Sequence, residues 1–248
     1  MKVKSILVSQ PQPVNDSSPY HELSKRNKIK IDFRSFIQVE GVDAKDVRQQ
    51  KIDFSNYTAV IFTSRNVIDH YFRLADEMRF QVPDDMKYFC QSEAIANYLH
   101  KYIVYRKRKT YVGEKGLSDL TPYFKKHKDE KFLLPSSDVL NPAVPEFLDE
   151  LGIKWERGIL CRTVSSDLSD LEDVKYDILV FFTPSGIKSL FENFPKFKQD
   201  QTRIAVFGKT TVKAAEEMGL RIDIEAPTPD TPSMTMALEK YLKEANKN

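Results

Sequence analysis

Ile178-Leu179-Val180-Phe181-Phe182-Thr183-Pro184-Ser185-Gly186 is an unbroken apolar run that stops on a hydroxyl, a proline and two small residues. A run of this length, rich in β-branched and aromatic residues, suits a strand buried on both faces of a parallel sheet. The same grammar recurs on either side of it. Ile6-Leu7-Val8 leads into Ser9-Gln10-Pro11, and Ala59-Val60-Ile61-Phe62 leads into Thr63-Ser64-Arg65-Asn66. Phe132-Leu133-Leu134 leads into Pro135-Ser136-Ser137-Asp138, and Ile204 to Phe207 leads into Gly208-Lys209-Thr210-Thr211. Helical spacing follows the runs. Val67, Tyr71, Ala75 and Met78 share one helix face, with Thr63 or Ser64 available to cap the first turn. Thr210 or Thr211 is expected to open another helix, with Val212, Ala215 and Met218 inward and Gly219 ending it. Strand, hydroxyl cap and helix in repetition predict βα units, a parallel sheet and right-handed crossovers.

The pattern echoes itself. Phe62 to Ile68 lies over Phe182 to Lys188, and Tyr88 to Ala94 lies over Val206 to Val212, at similar offsets of about half the chain. Two related α/β halves explain this; chance similarity between βα units is the alternative. Short polar stretches at Val39-Glu40-Gly41-Val42 and Arg162-Thr163-Val164-Ser165-Ser166 are the candidate connectors.

Composition removes several function classes. The 248 residues carry 38 Lys+Arg against 36 Asp+Glu, a formal net charge of +2, which is no nucleic-acid signature. No run approaches the roughly 18 apolar residues of a membrane span. The first residues, Met1 to Val8, hold too short an apolar stretch for a signal peptide. Cys90 and Cys161 stand far apart and the four His form no ligand pair, so neither a disulfide scaffold nor a zinc module is expected. A soluble, cytoplasmic α/β protein is the expectation.

In an open parallel sheet the ligand crevice lies beyond the carboxyl ends of the strands. Here those ends carry Ser, Thr, Asn, Gln and Gly, with no His, Cys or acid pair. The helix N-termini that follow them present unpaired N–H groups and a positive dipole end, which receive anions. Plain helix capping explains any single Ser or Thr as well. Gly208-Lys209-Thr210 is no phosphate loop, because Arg203 stands where that motif needs glycine. No G-x-G-x-x-G follows a strand, so the dinucleotide fingerprint is missing. The run Arg106-Lys107-Arg108-Lys109 reads as a solvated strand or loop end that could still attract an anionic small molecule. Lys125-Lys126-His127-Lys128 reads as a wet helix end, and Trp155 as core. The residues alone thus describe a bilobal α/β protein with a hydroxyl-rich, anion-tolerant cleft.

An ordered set of segments carries a resemblance. Ile61-Phe62-Thr63-Ser64, Phe181-Phe182-Thr183-Pro184-Ser185-Gly186, Gly208-Lys209-Thr210-Thr211 and Ala226-Pro227-Thr228-Pro229, with Pro19-Tyr20 and Leu23 before them, resemble the uroporphyrinogen-III synthase family across nearly the whole chain. The resemblance implies two flavodoxin-like parallel-sheet domains joined by a two-stranded connector, with the active site in the cleft between them. It places residues 1–38 with 166–248 in one discontinuous domain, 41–161 in the other, and connectors near 39–40 and 162–165. It implies a linear tetrapyrrole substrate, hydroxymethylbilane, which loses its terminal hydroxyl and closes with inversion of ring D. No metal or redox cofactor is implied, since the substrate supplies its own electrophile and nucleophile. Carried over, Thr63 and Ser64 belong to one lobe's rim; Thr183, Ser185, Gly186, Gly208, Thr210 and Thr211 belong to the other. Thr211 is the strongest candidate to hold a carboxylate arm, and capping its own helix is its other role.

Three positions depart from the family pattern. Cys161 stands where the family usually has a Tyr proposed to assist hydroxyl departure, so no catalytic residue is assigned; either that Tyr is not essential, or another group such as Tyr20 or a water substitutes. Gln10-Pro11 replaces a frequent Arg-Pro, and Cys90-Gln91-Ser92-Glu93 replaces the usual Gly-x-x-Thr. Glu93 would repel a carboxylate if it faced the cleft. A monomer is expected, because the ligand site needs only one chain, and neither nucleic acid nor membrane is an expected partner. The competing class is a non-catalytic bilobal module that binds a small polyanion.

Overall fold

A computed structural model describes residues 2–14, 18–171 and 175–246; the remaining positions of the first expected domain, 1, 15–17, 172–174 and 247–248, lie outside the described residues. The strands in chain order are β1 (Ser5–Val8), β2 (Lys30–Phe33), β3 (Ile37–Gly41), β4 (Ala59–Phe62), β5 (Lys87–Cys90), β6 (Thr110–Val112), β7 (Lys131–Ser137), β8 (Lys154–Ser165), β9 (Ile178–Phe181), β10 (Arg203–Phe207) and β11 (Ile222–Ala226). The helices are α1 (Pro19–Asn27), α2 (Ala44–Gln49), α3 (Arg65–Glu77), α4 (Glu93–Leu99), α5 (Thr121–Lys126), α6 (Ala143–Glu150), α7 (Pro184–Asn193), α8 (Lys209–Glu217) and α9 (Met234–Ala245). Two compact units result, Met1–Gln38 with Val164–Asn248, and Val39–Thr163. The division falls inside β3 and inside β8. These two strands run in opposite directions, since Ser166 N–H bonds the Phe36 carbonyl at 2.9 Å while Val42 N–H bonds the Leu160 carbonyl at 3.0 Å.

In the discontinuous unit the sheet order is β11-β10-β9-β1-β2, with every neighbouring pair parallel. β9, the strand of the opening run, is central, and all four of its residues are buried. Its alternation serves two cores. Ile178 and Val180 pack with Leu23 of α1 and Leu238 and Leu242 of α9. Leu179 and Phe181 pack with Ile187 and Leu190 of α7 and Ala215 of α8. Each fully buried side chain of this size contributes about 1.5–3 kcal/mol, which is why the apolar run has no polar break.

The other unit orders its strands β3-β8-β7-β4-β5-β6, and β4–β5, β4–β7, β5–β6 and β7–β8 are parallel. Val60 and Phe62 of β4 face Val67, Tyr71 and Leu74 of α3. Ala59 and Ile61 face Leu120, Phe124 and Leu148 on the opposite side. The two units share a topology. β4-α3-β5-α4-β6 repeats as β9-α7-β10-α8-β11, with β7 beside β4 where β1 lies beside β9. In each sheet the chain therefore leaves the central strand in one direction and leaves its neighbour in the other, at β4/β7 and at β9/β1. Such reversals are where open α/β sheets form their ligand crevices.

Several local expectations change. Ser64 and Thr183 each cap a helix two residues beyond the last strand residue, so Ser64 matches Thr183 and the echo slips by one position. Neither Thr210 nor Thr211 caps α8. Gly208 does, at φ +87°, a left-handed conformation that glycine adopts without penalty. Met218 is 44% exposed rather than inward, because α8 ends at Glu217 and Gly219 turns the chain at φ +74°. Leu220 takes the inward place, its N–H closing on the Ala215 carbonyl at 2.9 Å. β7 runs on through Pro135, Ser136 and Ser137. Its pairing with β4 stops at Leu133 while that with β8 continues, so a proline without an N–H sits where no β4 partner needs one.

Candidate functional site

The early end of the β4–β7 pairing opens a cavity of about 280 Å³ at the switch point of the Val39–Thr163 unit. Thr63, Ser64 and Asn66 beyond β4, Gln91 beyond β5, Ser136 of β7 and Asn141 line it, and none of its lining side chains is charged. The Ser64 hydroxyl accepts the Val67 N–H at 3.4 Å, which aims the first turn of α3 at the cavity. Charge stands behind the wall. Arg157 donates to the Ser136 hydroxyl at 2.8 Å and to the Ser137 and Asp138 carbonyls at 2.7 and 2.8 Å. The Asp138 carboxylate accepts the Thr163 N–H at 2.8 Å. The rim is thus a set of fixed dipoles, suited to receiving an anion without an ion pair.

The discontinuous unit builds its counterpart from α7 and α8. The Thr183 hydroxyl accepts the Gly186 N–H at 3.1 Å, and Ser185 is half-buried beside it. A Cβ on Gly186 would lie 3.7 Å from the Ser9 hydroxyl, so the start of α7 sits close to the end of β1, at the β9/β1 reversal. Gly208 brings the chain from β10 into α8, and nothing lies within 4 Å of where its Cβ would be. Backbone there is open to approach. Thr210 is exposed, while Thr211 is only 1% exposed, its N–H bonded to the Gly208 carbonyl at 3.0 Å and its hydroxyl without a partner. The structure therefore gathers Thr63, Ser64 and Cys161 in one cavity. Thr183, Ser185 and Gly186 share one helix start, and Gly208, Thr210 and Thr211 share the start of the next helix over. Sequence reasoning did not select Gln91, Ser136, Asn141, Arg157 or Ser9 as site residues. The hydroxyls after two apolar runs were the available signal for Ser9 and Ser136; Arg157 gave none. Among the described residues, no cluster of three or more His, Cys, Asp or Glu is placed to hold a metal ion.

A family model described as uroporphyrinogen-III synthase HemD matches residues 18–236, a span that includes every candidate from Thr63 to Thr211. The chain belongs to the uroporphyrinogen-III synthase family. It is 25% identical over 258 residues to a uroporphyrinogen-III synthase of Chlorobaculum parvum, covering 97% of this chain and all of that one. Its fold is similar to the crystal structure of the Helicobacter pylori uroporphyrinogen-III synthetase, with TM-score 0.60, 18% identity and coverage of 97% and 99%. A methionine-substituted Thermus thermophilus uroporphyrinogen-III synthase superposes with TM-score 0.51 at 13% identity, covering 99% and 100%.

The positions that depart from the uroporphyrinogen-III synthase pattern have definite surroundings. Cys161 lines the β4–β7 cavity but is itself buried, its thiol 3.9 Å from the Ser136 carbonyl. Burial, then the Asp138 charge, push the thiol up to about 11 against a smaller opposing effect of Arg73. It stays protonated at neutral pH, neither nucleophile nor ready proton source. Cys161→Ser should accordingly leave kcat/KM within about threefold, since one neutral hydrogen bond is the most that changes. A large rate loss would return the thiol to the reaction. Glu93 is exposed at the start of α4, on a concavity it shares with His100 and Tyr105 and not on the Thr63 cavity. Gln10 and Pro11 are exposed. Tyr20 is half-buried, packed edge-on against Phe33 at 5.4 Å, with its hydroxyl pushed up to about 12 by burial.

Proposed function

We propose that this chain is a cyclising hydro-lyase that converts hydroxymethylbilane to uroporphyrinogen III, in tetrapyrrole biosynthesis. The observation that carries the reading is the family match across residues 18–236, laid over the uncharged cavity at the β4/β7 reversal and the helix starts of the other unit. The substrate bears many carboxylate arms. The helix starts at Ser64, Thr183 and Gly208 supply N–H groups and hydroxyls to hold them, each exposed charge–dipole contact contributing about 0.3–1 kcal/mol. Several such contacts on one flexible chain add up to a defined bend.

Substrate and product differ by one water. The terminal hydroxyl departs with a proton, the resulting azafulvene is attacked by the substituted carbon of ring D, and rearrangement through a spiro centre inverts that ring. Electrophile and nucleophile both belong to the substrate. The protein's contribution is to hold the two ends near each other in the geometry that favours attack at the substituted carbon, the intramolecular advantage that orientation provides. Fixed dipoles suit this better than a strongly shifted acid or base, because they need no reorganisation during reaction. The reading places the enzyme in the cytoplasm as a monomer, one chain supplying all the rims. Among the described residues, no helix is long and apolar enough to cross a membrane.

A coupled assay with porphobilinogen and hydroxymethylbilane synthase tests the proposal. The type III isomer should form above the spontaneous type I background. Type I alone would leave a protein that binds a polyanion without catalysis.

A further inference from the structure

The opposite edge of the Val39–Thr163 unit holds a second cavity, lined by none of the residues around the Thr63 cavity. It opens at the amino ends of β5 and β6, away from the carboxyl ends where Gln91 and Ser136 lie, and has a volume of about 310 Å³. Phe72, Met86, Tyr88 and Tyr102 form its apolar walls, with the Phe72 and Tyr102 rings stacked at 4.6 Å. Thr110 also lines it. That residue is 5% exposed, and its hydroxyl has no hydrogen-bond partner. A buried hydroxyl left unpaired is costly and rare, and its residue stands in the cavity wall, where a ligand atom would satisfy it.

The basic run noted in the sequence lies over this opening. Arg106 and Lys109 both line it. Each is tied to Asp84, Arg106 by a 3.4 Å ion pair to the carboxylate and Lys109 by a hydrogen bond to the carbonyl. The Asp84 side chain is 91% exposed and that of Arg106 51%, so the pair is weak and exchangeable. Val104, 81% exposed, extends the apolar surface to the mouth. Apolar aromatic walls, an unpaired hydroxyl in the lining and two cations at the entrance, against the single carboxylate of Asp84, are the features of a small-ligand pocket. We propose that this cavity binds a planar aromatic carboxylate, its ring between the walls, its acid group at Arg106 and Lys109, and a polar atom against the Thr110 hydroxyl. The assignment is independent of the cyclisation chemistry.

Amide-resolved NMR titration of the full chain with 2-naphthoate tests it. Saturable shifts should centre on Tyr88, Ile103 and Thr110. Thr110→Val, which keeps the shape, should weaken binding about fivefold, the worth of one net hydrogen bond. Arg106→Gln combined with Lys109→Gln, the first exposed and the second half-buried, should weaken it about tenfold or more, as expected for charge-assisted contacts. Shifts that are absent, or that centre on the Leu190 and Phe194 region of the other unit, would overturn the proposal. So would an affinity unchanged in either variant.

Discussion

Thr211→Val should hold or raise the melting temperature while lowering kcat/KM about tenfold or more. The two effects separate because the hydroxyl stabilises nothing in the free protein. It is shielded from water and has no partner. An unsatisfied buried hydroxyl costs about 1–3 kcal/mol, and valine removes it with almost no change in volume. On the proposed reading substrate binding uncovers this hydroxyl for a carboxylate, and a hydrogen bond to a charged group is worth about 1.5–3 kcal/mol, so its loss costs a factor of ten or more. A capping role predicts the reverse pattern, lower stability with intact turnover. That role is already filled by Gly208. Thermal unfolding and steady-state rates on the same preparation check the prediction, and a raised melting temperature with unchanged rate would assign the hydroxyl to packing.

Arg157→Ala should lower both stability and turnover. Its guanidinium holds one hydroxyl and two carbonyls of the segment that ends β7. Removing a charged donor from the buried Ser136 hydroxyl and the half-buried Ser137 carbonyl costs about 2–3 kcal/mol, the exposed Asp138 carbonyl adding little. The loosened Ser136-Ser137-Asp138 segment forms one wall of the β4–β7 cavity, so kcat/KM should fall about tenfold, the scale expected when a positioning group is lost. Arg157→Lys keeps the charge but lacks the planar fork, and should recover stability more than rate. A destabilised variant whose folded fraction retains full kcat/KM would show that this wall does not position the substrate.

What could be read in the sequence follows from how each feature is built. β4 and β9 were legible because a central parallel strand buries both faces, leaving an unbroken apolar run with all four residues buried. The end of β7 was not, since Pro135, Ser136 and Ser137 carry no apolar signal although the first two are buried, and pairing with β8 and the Arg157 hydrogen bonds extend the strand through them. Ser64 and Thr183 signal their helices through the hydroxyls that cap them. α8 lacks such a signal because a left-handed glycine does the work with backbone alone. The site divides the same way. Thr63 and Ser64 follow their own strand and could be found locally. Gln91 and Ser136 join them only because β5 and β7 flank β4, a fact of strand order.

An anaerobic co-crystal structure with uroporphyrinogen III tests the account most directly. It predicts acetate and propionate groups hydrogen-bonded to the amides and hydroxyls at the starts of α3, α7 and α8, around Ser64, Thr183 and Thr210. A tetrapyrrole seated elsewhere on the molecule, with those three helix starts facing solvent, would contradict it.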